Sequence, residues 1–339
     1  MTPYVDVIDV GHGSSVLIRS EAVSTLVDTG PGIQVLEYLT SEGITSLVNV
    51  IISHADADHI SGLIRLLDAG FPIERVYLNA DALKGSAEWA SLRFSLEDRQ
   101  VSGELTTHAS MSGGMAIDCG DSLQLRVIAP LLGDVLAGAG GESLSGRDFT
   151  SNSMSVVLRL MSGERGLMLL PGDLDAVGLE AMMRRASDIT ARVLVAPHHG
   201  GMMGTPKITR DSIEALCVAV GPEALVVSNG RGRYGNPRDV VIEAARKKYP
   251  DIYIACTQLS ERCSALVSPA VRPGLGSSYS AGVKTNFCCA GTMRFVFEES
   301  ELFVEHEAHR AFVDLVPLAQ CRLVRPELTI LGDRSSGSE

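Results

Sequence analysis

The chain has 339 residues and a formal charge of −12, from 29 Lys+Arg against 41 Asp+Glu. With 45% hydrophobic and 21% charged residues its composition is that of an ordinary globular protein, which excludes global disorder and fibrous structure. An acidic surface repels phosphate backbones on average and excludes a general nucleic-acid coat protein, while leaving room for a locally basic groove.

Taken in chain order, residues 4–9, 15–19 and 24–28 read as strands, rich in Val, Leu and Ile and punctuated by Gly-containing turns. Residues 33–40 have helical spacing and stop at a Ser-Glu-Gly break. Residues 47–53 form an apolar run of the kind buried on both faces of a sheet, and a helix at about 60–69 and a strand at 75–79 follow. A Gly-rich stretch at 131–146 reads as a hinge or flap. Beyond it, 153–160 and 166–170 suggest a hairpin, and 176–185 a helix. Strands at 192–196, 224–228 and 252–256 are separated by helices near 210–220 and 238–248. Two successive halves of this kind predict an α/β protein built as an αββα four-layer sandwich. A Gly/Ser loop at 274–282, a closing hairpin at 293–297 and 302–305, and a frayed tail at 333–339 complete the reading. The expected organisation is one domain over 1–310, with a Cys-containing extension from about 257, and a C-terminal segment over 311–339.

No segment reaches the roughly 18 apolar residues of a membrane span. The first nine residues carry Asp6 and Asp9 and no basic run, so no secretory signal is expected. Seven cysteines, an odd number in a long chain, point to a reducing compartment. A cytoplasmic protein is expected.

The chemistry concentrates in three places. His54-Ala55-Asp56-Ala57-Asp58-His59, followed by Gly62, lies where a buried strand gives way to a helix. Helix capping accounts for one aspartate of this run, but not for two histidines flanking two aspartates; imidazole and carboxylate together are ligands for zinc, manganese or iron. Asp173 follows the apolar run ending at Leu170, in a Pro-Gly-Asp turn. His198 and His199 follow the apolar run 193–196, and being adjacent they point to opposite sides, so at least one can face a cleft.

The order HxDxDHxxG, strand then Gly-Asp, strand then Pro-His-His-Gly resembles the metallo-β-lactamase fold superfamily, and within it the hydrolase domain of ComEC/Rec2-like competence proteins and their free-standing relatives. Asp9-Val10-Gly11-His12-Gly13, Val27-Asp28-Thr29-Gly30, the stretch 151–158 and the stretch 228–237 add to the resemblance, which covers roughly residues 4 to 258. It implies a metal-dependent hydrolase with two divalent ions, Zn or Mn, at the sheet edges. His54 and Asp56 would bind one; Asp58, His59 and one of His198 and His199, with His198 ranked first, would bind the other. Asp173 would bridge them. Asp58, Asp173, His198 and His199 would form the catalytic set, with a metal-bridging hydroxide as the attacking group.

The chain departs from the superfamily pattern at four points. Asp56 replaces a usual histidine, and Asn152-Ser153 stands where a third-motif histidine would be. More oxygen around the first metal shifts its preference from Zn²⁺ towards Mn²⁺ or Mg²⁺. Asn236 replaces a frequent histidine, and His12 a usual glutamine, so that His12 is expected to pack beside the site. Nothing in the chain corresponds to the membrane part of the competence proteins, so DNA uptake is not implied.

Arg231, Arg233, Tyr234, Asn236 and Asn152 are the candidate substrate-binding residues, the arginines near the rim favouring a phosphodiester over a neutral amide. A phosphodiesterase or nuclease acting on single strands or ends is the leading expectation. The alternatives are an ester, lactone or thioester hydrolase of the same fold, or a regulatory module with a degraded metal site. Cys256, Cys263, Cys288 and Cys289 are candidates for a structural zinc site, although they lack CxxC spacing. His108, His306 and His309 read as surface residues.

Overall fold

A computed structural model describes residues 2–185, 188–232, 234–264, 279–297, 302–303 and 306–322. Its strands are β1 (Tyr4–Val7), β2 (Val16–Arg19), β3 (Ser24–Val27), β4 (Leu47–Ile51), β5 (Ile73–Tyr77), β6 (Thr106–His108), β7 (Ala116–Gly120), β8 (Leu123–Ala129), β9 (Val157–Ser162), β10 (Arg165–Leu170), β11 (Val193–Val195), β12 (Ala224–Val227), β13 (Tyr253–Cys256), β14 (Met293–Phe297) and β15 (Leu302–Phe303). The helices are α1 (Gln34–Ser41), α2 (Ala57–Asp68), α3 (Ala87–Ser102), α4 (Leu132–Ala137), α5 (Ala176–Met183), α6 (Pro206–Val220), α7 (Asp239–Lys248) and α8 (His306–Leu315).

One sheet has the order β15-β14-β1-β2-β3-β4-β5-β6 and the other β13-β12-β11-β10-β9-β8-β7. Period-two alternation along the strands sorts their side chains between two faces. Leu17, Leu26 and Val50 join α1, α2 and α3 in one apolar cluster, while their neighbours Ile18, Val27 and Ile51 meet Leu158, Met168, Val193 and Val226 between the sheets. On the far side Leu169, Leu194, Leu225 and Ile254 pack against Leu179, Ile213, Val241 and Phe312 of α5, α6, α7 and α8. Three clusters thus fill the three interfaces of an αββα sandwich. The continuous apolar runs read from the sequence are the central parallel strands, β3-β4-β5 in one sheet and β10-β11-β12-β13 in the other.

The last described strand pair returns to the first. β14 pairs antiparallel with β1, Met293 opposite Val7. There the Arg294 guanidinium reaches the fully buried Asp6 through two bonds of 2.9 and 2.6 Å, and Tyr38 donates to the same carboxylate. Residues 80–130 hold α3 and β6 to β8, which the sequence reading leaves blank. In α3 only Trp89, Leu92 and Leu96 are buried, and every second residue of β7 is exposed or half-buried, so the apolar signal is thin. The Gly-rich stretch contains the short helix α4. The boundary expected at 310 falls inside α8, whose Phe312 and Val313 belong to the core. Most of the Gly/Ser loop and the tail at 333–339 lie outside the described residues. Among those described, no helix is long and apolar enough to cross a membrane.

Candidate metal centre

The parallel strands of both sheets end along one seam, the usual place for a site in α/β proteins. β4 delivers Ser53 and His54, and the first turn of α2 delivers Asp58 and His59. The turn after β10 carries Asp173, and a 3-10 turn after β11, with His198 and His199 both at positive φ, carries the histidine pair. His59 Nε2 lies 3.2 Å from Asp173 Oδ1, and His199 Nε2 lies 3.4 Å from both Asp173 Oδ1 and Asp58 Oδ2. His54 Nε2 is 3.9 Å from Asp173 Oδ2 and 3.8 Å from Asp56 Oδ1. Three distant stretches of chain therefore converge.

Outer contacts determine which imidazole nitrogen faces inward. Asp28 Oδ2 accepts from His59 Nδ1 at 2.8 Å, and the Ser228 carbonyl from His199 Nδ1 at 2.9 Å. The Met202 carbonyl accepts from His198 Nδ1 at 3.1 Å. Ser53 Oγ, which donates to Asp28, accepts from His54 Nδ1 at 3.1 Å. A nitrogen that donates outward leaves its ring partner with an unprotonated lone pair. All four rings thus turn Nε2 lone pairs towards the carboxylates. His54 Nε2 is buried with no hydrogen-bond partner, and the His59 and His199 Nε2 atoms face each other at 3.3 Å. Two lone pairs so close repel unless a proton or a cation lies between them. Among the described residues two groups could hold a metal, His54 with His59 and Asp173, and His12 with Asp58 and His199.

The electrostatics agree with this need for positive charge. Burial pushes the His59 imidazole down, but the Asp28 and Asp173 carboxylates outweigh it and hold the group well above its ordinary value. His199 is raised in the same way, chiefly by Asp173 against burial. Burial pushes Asp173 up, yet the charges of His199 and His59 bring it well below the usual carboxylate range. Asp58 is lowered against burial by the His199 hydrogen bond.

Several placements differ from the sequence reading. The buried histidine facing Asp58 and His59 is His199, not the favoured His198; His198 lies on the other side of Asp173, its Nε2 3.8 Å from Oδ2, and is partly exposed. His12, expected to pack beside the site, puts Nε2 3.3 Å from Asp58 Oδ2. Asp56 occupies the N-cap position of α2 without capping it, and instead binds the Lys84 ammonium. Lys84 is held by the Asp81 carboxylate, which accepts from the Leu83 and Lys84 amides, and no sequence pattern marks it. Asp28 stood in the sequence as part of a motif without a role.

Arg231, expected on the rim, donates to the Leu259 and Ser264 carbonyls at 2.9 and 2.8 Å and covers the Phe287 ring. Arg233 lies outside the described residues. Tyr234 is 58% exposed and its ring packs against His12 at 4.7 Å, which puts it at the mouth of the cluster. Asn236 is buried, its carbonyl accepting from Asn229, and Asn152 sits in the turn before β9, its carbonyl accepting from Ser155. Of the four candidate zinc cysteines, Cys288 turns away: its thiol pairs with Ser280 Oγ at 3.1 Å and faces Asp9. Cys256, Cys263 and Cys289 share the outer core cluster with Cys321. His309, read as a surface residue, is buried against Tyr253, and His108 stacks on Tyr77.

Comparison with known proteins bears on the same seam. The model of the Metallo-beta-lactamase superfamily matches residues 8–211, well over half of the chain and a span that contains every ligand-type residue from His12 to His199. The chain is 26% identical over 268 residues to ComE operon protein 3 of Bacillus subtilis (strain 168), covering 72% of this chain and 30% of that one. It is 26% identical over 249 residues to Competence protein ComA of Neisseria gonorrhoeae, covering 71% and 29%. It thus spans under a third of the length of these curated relatives. Among solved structures, the metallo-beta-lactamase fold protein YhfI from Bacillus subtilis aligns with a TM-score of 0.44 and 14% identity, over 72% of this chain and 93% of that one.

Proposed function

The chain belongs to the metallo-beta-lactamase superfamily, a superfamily of metal-dependent hydrolases, and on that premise we propose that it is a phosphodiesterase, with single-stranded nucleic acid as the nearest substrate class. The observation that carries the reading is the set of imidazoles on His54, His59, His198 and His199, all turned by outer acceptors so that their lone pairs meet Asp173. The donor set fits divalent cations. His54, His59 and Asp173 would hold one, and His12, Asp58 and His199 the other, with Asp56 and His198 beside the first. When bound, such ions polarise a phosphoryl oxygen and acidify a water at neutral pH.

The chain's own residues supply the rest. Asp28 and the Ser228 carbonyl keep His59 and His199 oriented, so no reorganisation is needed when an anionic substrate arrives. Lys84, half-buried beside Asp56, supplies an ammonium at the edge of the cluster that would attract an anionic substrate. Tyr234, packed on His12, sets an exposed aromatic side chain at the mouth of the cluster, the residue type on which unpaired bases stack. With Arg231 engaged elsewhere, Lys84 and Tyr234 take the part the arginine rim was expected to play. A second reading, a binding module with one vacated half-site, is favoured by the Lys84 contact, since an ammonium on Asp56 competes with a cation there.

The test is turnover of a bis-aryl phosphodiester, a labelled single-stranded DNA and an aryl lactone by protein stripped with chelator and reloaded with Mn²⁺ or Zn²⁺. Phosphodiester turnover that disappears in Asp173→Asn supports the proposal. Turnover of the lactone alone, or of nothing with either ion, overturns it.

A further inference from the structure

Away from the seam, the second sheet carries a basic cleft on its outer face. Leu123, Leu125 and Val127 of β8 and Leu158 and Leu160 of β9 turn into the core between the sheets. Period-two alternation therefore puts Arg126 and Arg159 on the opposite face, and the ladder register sets the two directly across from each other. The outer helices cover β10 to β13 through Leu169, Leu194, Leu225 and Ile254. Beside them, over β8 and β9, lies a cleft of about 410 Å³ with both arginines in its lining. None of the residues grouped around Asp173 lines it.

Like charges opposed across two strands repel, so each needs an answer. Arg159, only 4% exposed, has one. Its Nε donates to the Thr190 carbonyl at 2.8 Å, its Nη2 to Thr190 Oγ1 at 3.0 Å, and the Asp188 carboxylate stands 2.9 Å from Nη1. Gly166 makes room for this arrangement, since a Cβ there would lie 1.9 Å from the Thr190 carbonyl oxygen and 2.7 Å from the guanidinium. Arg126 is different. Its Nε donates to the neutral Gln124 side chain at 3.2 Å, and among the described residues no carboxylate pairs with it. Arg185, just beyond α5, lines the same cleft and likewise pairs with no carboxylate among them. Glu164 lies in the lining too, yet forms an ion pair with none of the three arginines.

Ile128, Leu131 and Met161 add an apolar wall to the cleft. A guanidinium is a planar fork of donors that matches phosphate oxygens, and two of them without counter-ions suit a dianion better than the monoanion of a diester. A volume of this size is that of a small organic ligand rather than of a bare ion. We propose that the cleft binds a phosphate monoester carrying a ring, of the nucleoside monophosphate class. Arg126 and Arg185 hold the phosphoryl oxygens, Ile128, Leu131 and Met161 take the ring, and Glu164 accepts from a hydroxyl or amino group. The site stands apart from the metal centre and does not depend on the reaction performed there.

The experiment is calorimetric titration of the full-length, Mn²⁺-loaded protein with adenosine 5′-monophosphate, inorganic phosphate and adenosine as probes. The monophosphate should bind about tenfold or more tighter than inorganic phosphate, and adenosine should give no heat. The same binding should persist in Asp173→Asn, which takes away the central carboxylate of the metal centre. Arg126→Ala and Arg185→Ala should each weaken it by about tenfold or more. Both side chains are exposed, so these variants should fold, with an unchanged Tm as the control. No binding to the parent, loss of binding in Asp173→Asn, or undiminished affinity in the two arginine variants would each overturn the proposal. So would equal affinity for phosphate and the monophosphate, the mark of an adventitious ion only.

Discussion

Asp28 receives three bonds of 2.8 Å, from the Ser53 amide, the Ser53 hydroxyl and His59 Nδ1. Asn at this position keeps one acceptor oxygen, which the Ser53 amide retains because it can only donate. The new amide NH₂ then confronts the remaining two partners. The Ser53 hydroxyl can rotate to accept from it, but a protonated His59 Nδ1 cannot, and the ring responds by moving its proton to Nε2. That proton occupies the lone pair 3.2 Å from Asp173 and 3.3 Å from His199, and His59 is lost as a ligand. Losing such an orienting partner costs about 10- to 100-fold in metal affinity, or roughly 1.4–2.8 kcal/mol. The fold should survive, since one strong bond remains and the net cost of the altered ones is about 1–2 kcal/mol. The assay is competition for Mn²⁺ or Zn²⁺ against a chelator of known affinity, with thermal unfolding of the chelated proteins as control. Affinity for Asp28→Asn within threefold of the parent would refute the tautomer argument.

Lys84→Ala should release Asp56 and raise affinity for the cation at His54, His59 and Asp173 by about tenfold or more, because an ammonium and a divalent ion repel strongly in a half-buried site; a metal-to-protein ratio that stays unchanged on dialysis against Mn²⁺ would count against it. Gly62→Ala places a Cβ 2.0 Å from the Thr29 carbonyl oxygen and must push α2 off the loop carrying Asp28. The overpacking cost of about 1–3 kcal/mol exceeds the helix-propensity gain of about 1 kcal/mol, so the urea midpoint should fall. Metal-free protein should lose stability as pH rises above the ordinary histidine value of 6.5, because His59 and His199 have folded values raised above it. Their contribution is complete below the unfolded value and disappears as pH climbs through the folded ones. Bound metal competes with these protons, so a Mn²⁺-loaded sample should lack the decline; equal Tm profiles for chelated and loaded protein between pH 6.5 and 8.5 would contradict the assignment.

Legibility in the sequence followed the strength of the local signal. The apolar strands that end at the seam announce themselves, as do the His54–His59 run, Asp173 and the histidine doublet, because each couples a buried β-strand to residue types that burial alone disfavours. Which member of the doublet faces inward is decided by two consecutive positive φ angles and by the Met202 and Ser228 carbonyls, and no local pattern encodes that. His12 and Lys84 reach the site from loops held by distant partners, Lys84 through the Asp81 turn. Arg231 shows the opposite failure. Its charge suggested a substrate, whereas the tertiary structure surrounds it with carbonyl oxygens.

The insertion of β14 beside β1 has a bearing on how the chain is made. Tyr4–Val7 is synthesised long before Met293–Phe297, so its outer edge waits for its partner strand, and Asp6 waits across a separation of 288 residues for its guanidinium. While the intervening residues are being synthesised, the nascent chain therefore carries an open strand edge next to an uncompensated acidic group, a combination that invites holding by chaperones. Two strands far apart in the sequence act as the clasp, and a chain stopped by a nonsense codon before Arg294 would leave that edge open to proteolysis.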